Sequence, residues 1–241
     1  MLKKNIPIPL YYQLKERLTQ TIREGELPPG ALMPSERELS DRYGISRMTV
    51  RQALGEMVKE GLLVREQGKG TFVAEPKIDQ PLLRLTSFSE DMRSRGMKPD
   101  SRILAIYTEE AGPKVAAALR LEQNRQVLVL ERVRLADSKP MAFEVSHLPL
   151  ARFPELEQED LHSVSLYTLL EEKHGLQIKF ARQVIEVGLS DRSNSEALGI
   201  SVKSPVLLIE RVTFDGDEQP FEYVSSVYRG DRYKLQVELH R

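Results

Sequence analysis

The sequence predicts an α+β protein in two parts, a small helical head ending in a hairpin and a larger antiparallel sheet with a few helices. Three observations carry this. Ser35 to Phe72 reads as two short capped helices and a glycine-tipped hairpin. A polar stretch with two prolines, residues 76–82, then breaks the texture and reads as a semi-rigid linker. Beyond it β-prone segments alternate with short helical ones, and part of that pattern occurs twice at a fixed offset. The expected division is a head over 1–75, a linker over 76–82 and a second domain over 83–241.

Composition sets the limits. The 241 residues suffice for two modest domains, and 40% hydrophobic with 29% charged residues is a globular balance. Net charge is −1; residues 1–75 hold 12 Lys and Arg against 10 Asp and Glu, an excess of +2 that leaves −3 for the rest. Charge alone therefore names no partner. The absence of cysteine excludes disulfides, thiolate metal sites and Cys nucleophiles. The four histidines have no ligand spacing and no Ser/His/Asp set is apparent, so no catalytic residue, metal or cofactor is expected. No apolar run approaches ~18 residues, and Met1 to Pro7 has no apolar stretch behind it. A soluble cytoplasmic protein that contacts no membrane is the expectation.

In chain order, Pro7-Ile8-Pro9 is extended, because each proline restricts its predecessor. Leu14, Leu18 and Ile22 then mark the buried stripe of a helix over Leu10 to Arg23, which Gly25 and Pro28-Pro29-Gly30 terminate. Ser35 with Glu38 is a capping box opening a short helix that Gly44 closes. Ser46 caps the next helix, which runs to about Glu60 and buries Val50, Ala53, Leu54, Met57 and Val58. Helix, glycine turn, helix is the helix-turn-helix pattern. Leu62 to Glu66 and Thr71 to Val73 flank Gln67-Gly68-Lys69-Gly70 as a hairpin with a basic tip, a wing. Arg47 and Arg51 stack along one flank of the second helix, with Thr49 and Gln52 beside them. Arginine suits guanine edges or a phosphate pair, and a free helix start suits phosphate. One by one, Arg37, Arg47 and Arg51 are ordinary solvated charges; their order with the caps, the turn and the wing points to double-stranded DNA.

These same residues, Pro34 to Leu39, Ser46 to Leu54 and Gly61 to Val73, resemble the winged helix-turn-helix of GntR-type bacterial repressors. The resemblance implies that Arg37, Arg47, Arg51 and the tip Gly68-Lys69-Gly70 contact a short near-palindromic operator. Thr49 and Gln52 would support or vary the readout. A near-palindrome implies a homodimer.

In the second domain, strands are expected at 103–107, 127–135, 140–147, 180–189, 206–214 and 221–228, with helices near 87–95, 113–119, 165–174 and 193–198. Glu131-Arg132-Val133 repeats as Glu210-Arg211-Val212, and a hairpin follows each copy, with Pro140 and Glu144 in one and Pro220 and Glu222 in the other. Two halves related by a pseudo-twofold would place a ligand cleft between them. Alternation puts Arg132 and Arg134 on one strand face, as surface charge or as an anion clamp. Ser87 and Ser89 begin one helix, and Ser163 and Ser165 another; they are either N-caps or anion donors.

Leu85 to Met92 with Arg95-Gly96, Glu131 to Arg134 with Pro140 and Glu144, Ser165-Leu166-Tyr167, and Tyr228 to Tyr233 resemble the effector (UTRA) domain of the HutC subfamily, whose fold is that of chorismate lyase. The resemblance extends over nearly the whole chain and is strongest to the amino-sugar-responsive repressors of N-acetylglucosamine utilisation. It implies that Ser89, Arg132, Arg134, Ser165 and Tyr167 hold a phosphate, with Phe88 beside them, and that Glu144, Glu222 and Tyr228 approach a sugar. The implied effector is glucosamine 6-phosphate or N-acetylglucosamine 6-phosphate. His147 lies nearby in sequence, as a contributor or as a packed strand histidine. Arg229, Asp231 and Arg232 read as an ion-pair turn. A disaccharide phosphate, a phosphonate or an imidazole acid is the alternative effector, and a lyase-type enzyme with a DNA-binding head the alternative class.

Overall fold

The structure, a computed structural model, describes residues 2–3, 6–66, 68–122, 125–161 and 164–239. Gln67 at the wing tip, Ser163 two residues before Ser165, and His162 and His240 lie outside the described residues. The chain forms two compact units, Met1–Lys77 and Ile78–Arg241.

In the first unit, α1 (Leu10–Arg23), α2 (Glu36–Tyr43) and α3 (Arg47–Lys59) precede a hairpin of β1 (Leu63–Glu66) and β2 (Gly70–Val73). The caps explain the boundaries. Ser35 accepts from the Glu38 amide while Glu38 reaches back to the Ser35 amide, and Gly44 ends α2 in the left-handed region. Ser46 accepts from the Thr49 amide to start α3. Leu14 and Leu18 of α1 meet Val50, Ala53, Leu54 and Met57 of α3 in one buried cluster. Each large apolar side chain buried there contributes roughly 1.5–3 kcal/mol over leaving it in water. Ile22 and Val58, expected in the buried stripes, are half-buried at the rim of the cluster. On its other side β2 is joined by Ala31 to Met33, which exchange backbone hydrogen bonds with Thr71 and Val73.

The second unit opens with β3 (Ile78–Pro81), inside the stretch that reads as a linker. After it come α4 (Phe88–Ser94), β4 (Pro99–Glu110), α5 (Pro113–Leu119), β5 (Gln126–Ala136) and β6 (Lys139–Pro149). Then come α6 (Leu166–His174), β7 (Ile178–Leu189), α7 (Arg192–Leu198), β8 (Pro205–Asp215), β9 (Pro220–Arg229) and β10 (Tyr233–Gln236). β3 pairs in parallel with β10, a contact between distant parts of the chain that leaves no local pattern to read. The other six strands form one antiparallel sheet in the order β4-β5-β6-β9-β8-β7.

The repeat is longer than the sequence shows by eye. β4, α5 and β5 recur as β7, α7 and β8, and one constant offset relates both ends of every pair. The second hairpin turn is longer by a single position, so the offset grows by one from Pro140 and Pro220 onward. β6 and β9 pair at the centre of the sheet, where Val145 lies opposite Ser225, its own mate under the longer offset. A pseudo-twofold therefore passes through that pair. Glu144 and Glu222 fall short of the offset and are not mates; Glu144 corresponds to Val224, and Glu222 to Ala142.

The sheet has two covered faces. Leu128, Leu130 and Phe221 pack under α6, and Met141 under Met92 of α4. Val127, Val129 and Tyr223 pack against Leu119 of α5, and Val206 and Val227 against Leu198 of α7. His147 lies opposite Tyr223 with ring centroids 5.7 Å apart. It sits on the α5 face, away from Glu144, so it is a packed strand histidine.

Candidate functional site

Each unit carries a cluster of arginines, one exposed and one buried. In the first unit, α3 has Arg47, Met48, Arg51 and Gln52 exposed, and Thr49 half-buried, on the side away from Leu14 and Leu18. Thr49 exchanges its hydroxyl hydrogen bond with Ser46 at 2.9 Å, so it serves the helix start first. Arg51 is not a free side chain. Its Nε donates to both carboxylate oxygens of Glu36, at 3.0 and 3.1 Å, and Nη2 donates at 2.8 Å. The hydrogen bond from Arg51 holds the Glu36 carboxyl below its ordinary pKa, against a smaller opposing effect of burial, with help from Arg51, Arg65 and Arg47 charge. The charges of three arginines thus act on Glu36, and one of the three is bonded to it. Sequence reading missed Glu36 and Arg65, because Arg65 lies on β1 and its charge reaches Glu36 only through the fold. Arg37 at the start of α2 is exposed, with Asp41 3.9 Å away.

The wing tip residues Gly68, Lys69 and Gly70 are exposed. Gly70 has φ +129°, a conformation that L side chains rarely adopt, and a Cβ there would come within 2.8 Å of the end of the Leu32 side chain, so a substitution is strained. Met48, with 68% of its surface exposed, presents an apolar group beside Arg47, of a kind that suits a thymine methyl.

In the second unit the predicted residues converge on one cavity beneath α4 and α6. It is lined by Phe88, Arg134, Glu144, Ser165, Tyr167, Glu222 and Tyr228 among others. Ser89 and Arg132 do not line it but brace residues that do. Arg134 donates to Ser89 at 3.1 Å and to Ser101 at 2.7 Å, and lies over the Phe88 ring at 4.7 Å. Arg132 donates Nε and Nη2 to one oxygen of Glu144, at 2.8 and 2.6 Å. Arg132 Nη1 and Arg134 Nε are buried without a partner. Ser87 caps α4, whereas the Ser165 side chain, though buried, makes no capping bond to α6.

Burial sets the electrostatics. It pushes Arg134 down to about 10, with the neighbouring charge of Arg132 acting the same way. Burial also raises Glu144, but Arg132 and Arg134 together outweigh it and hold the carboxyl below its ordinary value. For Glu222 burial wins; burial and then Glu144 push it up, towards the neutral acid. Tyr167 donates to Glu222 at 3.0 Å and lies 3.0 Å from the Thr213 hydroxyl. Burial raises the Tyr167 phenol far above its usual range and Tyr228 to about 12, so both stay neutral phenols.

Arg211, Thr213 and Ser226 belong to this neighbourhood and were not singled out from sequence. The signal was present for Arg211, which stands in the repeat where Arg132 does. The cavity measures about 40 Å³, little more than the share of one water molecule. A second cavity of about 450 Å³ adjoins it, and Ile209, Arg211 and Tyr228 line both. The expected turn also forms, with Arg229 donating to Asp231 at 3.0 and 2.6 Å. Among the described residues no group of His, Asp or Glu is arranged to hold a metal ion, and no helix is long and apolar enough to cross a membrane.

Comparison with known proteins finds two family matches in the chain. The family of bacterial regulatory proteins called gntR matches residues 10–73, and the UTRA domain matches residues 94–234. The chain is 45% identical to the HTH-type transcriptional repressor NagR of Bacillus subtilis (strain 168), over 96% of this chain and 95% of that one. It is 34% identical to the mannosyl-D-glycerate transport/metabolism system repressor MngR of Escherichia coli (strain K12), over 94% of each. Among solved structures, PhnF from Mycobacterium smegmatis superposes with a TM-score of 0.66 at 31% identity, covering 95% of this chain and 98% of that one. The alternative class, an enzyme with a DNA-binding head, is set aside by these relatives. With a winged head under one model and the arginine-lined sheet under the other, the chain belongs to the gntR family of bacterial regulatory proteins, as a transcriptional repressor of the GntR–UTRA type.

Proposed function

We propose that the chain acts as a homodimer that represses genes for amino-sugar (N-acetylglucosamine) uptake and breakdown, and leaves its operator when an amino-sugar 6-phosphate binds the second unit. The observation that carries this reading is the buried pair Arg132 and Arg134, set beneath two serine-started helices beside one ionised and one neutral-leaning carboxyl. Arginines and hydroxyls suit a phosphate, while carboxyls and a phenol suit sugar hydroxyls and an amine or amide. In this reading Ser89, Arg132, Arg134, Ser165 and Tyr167 serve the phosphate, with Phe88 stacked on Arg134, and Glu144, Glu222 and Tyr228 serve the sugar. Arg37, Arg47, Thr49, Arg51, Gln52 and the tip Gly68-Lys69-Gly70 serve the operator. Two heads would read two half-sites spaced by the helical repeat of about 34 Å.

The test uses duplexes selected from a random pool by the purified chain. Glucosamine 6-phosphate or its N-acetyl form should release the selected duplex from the wild type, and Arg132→Ala or Arg134→Ala should abolish release while leaving duplex binding intact. Linkage requires the duplex to weaken sugar-phosphate binding by the same factor. Equal sugar-phosphate affinity with and without duplex would refute the repressor-release reading. A larger phosphorylated effector is the second reading, favoured by the adjoining cavity of about 450 Å³; a disaccharide phosphate that releases the duplex at lower concentration than either monosaccharide would select it.

A further inference from the structure

We infer that Arg211 is a third effector-binding cation, which exchanges the amide oxygen of Gln183 for an oxygen of the anionic effector. This rests on the reading of the cavity as a phosphorylated-ligand site and adds a residue to it. The argument comes from a symmetry that the backbone keeps and the side chains break. Arg132 and Arg211 are mates in the repeat and occupy equivalent places on β5 and β8 about the Val145–Ser225 axis. Directly across from Arg132 on β6 stands Glu144, and the two are bonded. Directly across from Arg211 on β9 stands Val224. The second half therefore retains the arginine and lacks its carboxylate.

Arg211 instead turns to the edge strand. Its Nε and Nη2 donate to Gln183 Oε1 at 2.8 and 2.6 Å. An amide oxygen satisfies two donors but supplies no charge. Around the smaller cavity Arg134 and Arg211, with Arg132 behind Glu144, stand against Glu144 and Glu222, a surplus of one positive charge that becomes two when Glu222 takes up its proton. A buried surplus of this kind lowers stability, and a fold keeps it where it serves a ligand. A phosphate dianion balances it. A charged oxygen is also a stronger acceptor than an amide, so the exchange from Gln183 is favourable. Place agrees with charge, because Arg211 is one of three residues lining both cavities. A ligand too large for the small polar cavity meets Arg211 as it extends into the larger one.

The experiment is calorimetric titration of the full chain with glucosamine 6-phosphate, N-acetylglucosamine 6-phosphate and inorganic phosphate, together with thermal unfolding of each variant with and without the sugar phosphates. Arg211→Met should weaken binding of the sugar phosphates by roughly 10- to 100-fold. The rise in melting temperature that a sugar phosphate gives the wild type should shrink for this variant, whatever its ligand-free melting temperature, because the lost contact is one to the ligand. A purely structural arginine would lower ligand-free melting and leave that ligand-induced rise intact. Arg211→Lys keeps the charge and loses the two-pronged geometry, so it should bind between wild type and Arg211→Met, and it decides the matter if Arg211→Met does not fold. Sugar-phosphate affinity within about twofold of wild type in both variants, while Arg132→Ala and Arg134→Ala lose it, overturns the role of Arg211 and leaves the phosphate reading standing. A wild-type chain that binds none of the three phosphates overturns both.

Discussion

Two arginine–carboxylate pairs in this molecule have nearly the same geometry and opposite settings. Arg51 grips Glu36 through Nε and Nη2 at 2.8 to 3.1 Å, with 58% of the arginine side chain exposed. Arg132 grips Glu144 through the same two nitrogens at 2.6 and 2.8 Å, with 5% exposed. The comparison teaches that the bond does not set the worth of the pair; the solvent does. In the head, water and salt screen the charges, so Glu36 orients Arg51 without trapping it. In the sheet, where water is excluded, each partner offsets much of the other's lost hydration. Exposed arginines suit a partner that arrives as a large polyanion. Buried ones suit a small anion that must be enclosed.

The largest effect should come from breaking the buried pair. Glu144→Ala leaves Arg132 buried beside Arg134 without a counter-charge, and chemical denaturation should show a loss of roughly 3–5 kcal/mol. Glu36→Ala, its counterpart in the head, should leave unfolding nearly unchanged. If both cost the same, burial does not distinguish the pairs. Next, Arg51→Ala should lower affinity for a selected duplex by roughly 5- to 150-fold and relax preference at one base position; a uniform loss over all sequences would assign Arg51 to phosphate alone.

A smaller effect tests the frame that presents Arg51. Ser35→Ala removes the capping box of α2 and should destabilise the head by about 1 kcal/mol, read from its own melting transition. The two buried carboxyls should then separate by pH. Glu144 has a depressed folded pKa, so its contribution is present above the unfolded value near 4.5 and is lost as pH falls through the folded one. Glu222 has a raised folded pKa, so its contribution is present below about 4.5 and is lost as pH rises through the folded one. Glu222→Gln should therefore gain stability at neutral pH and flatten the decline above about 4.5; an unchanged pH profile would mean Glu222 is ionised in the fold. Smallest is Lys69→Ala, which should reduce the salt dependence of duplex binding by about one unit of slope without altering base preference.

Much of this was legible in the sequence, for local reasons. Ser35, Glu38, Gly44 and Ser46 fix helix ends within one turn of themselves. Alternation placed six strands to within a few residues, and the repeated Glu-Arg-Val announced a two-fold domain. Resemblance supplied the cavity residues, and the fold brings them or their braces together. What stayed hidden depends on which strand meets which. The parallel pairing of β3 with β10 sets Ile78, at the start of the second unit, beside Tyr233 near its end, so the proline-containing stretch looked like a linker alone. The face of His147 follows from strand register, and the position of Glu144 relative to Glu222 from one extra turn residue.

The sequence by itself determined the elements, the winged head and the duplicated sheet, because caps, periodicity and repeats act over a few residues or recur in the text. Tertiary structure alone decided which of two matching arginines is bonded to a carboxylate. Arg132 and Arg211 read alike along the chain, yet one faces Glu144 and the other Val224. Neighbours across strands, not neighbours in sequence, fix the local charge, and burial fixes how much that charge weighs.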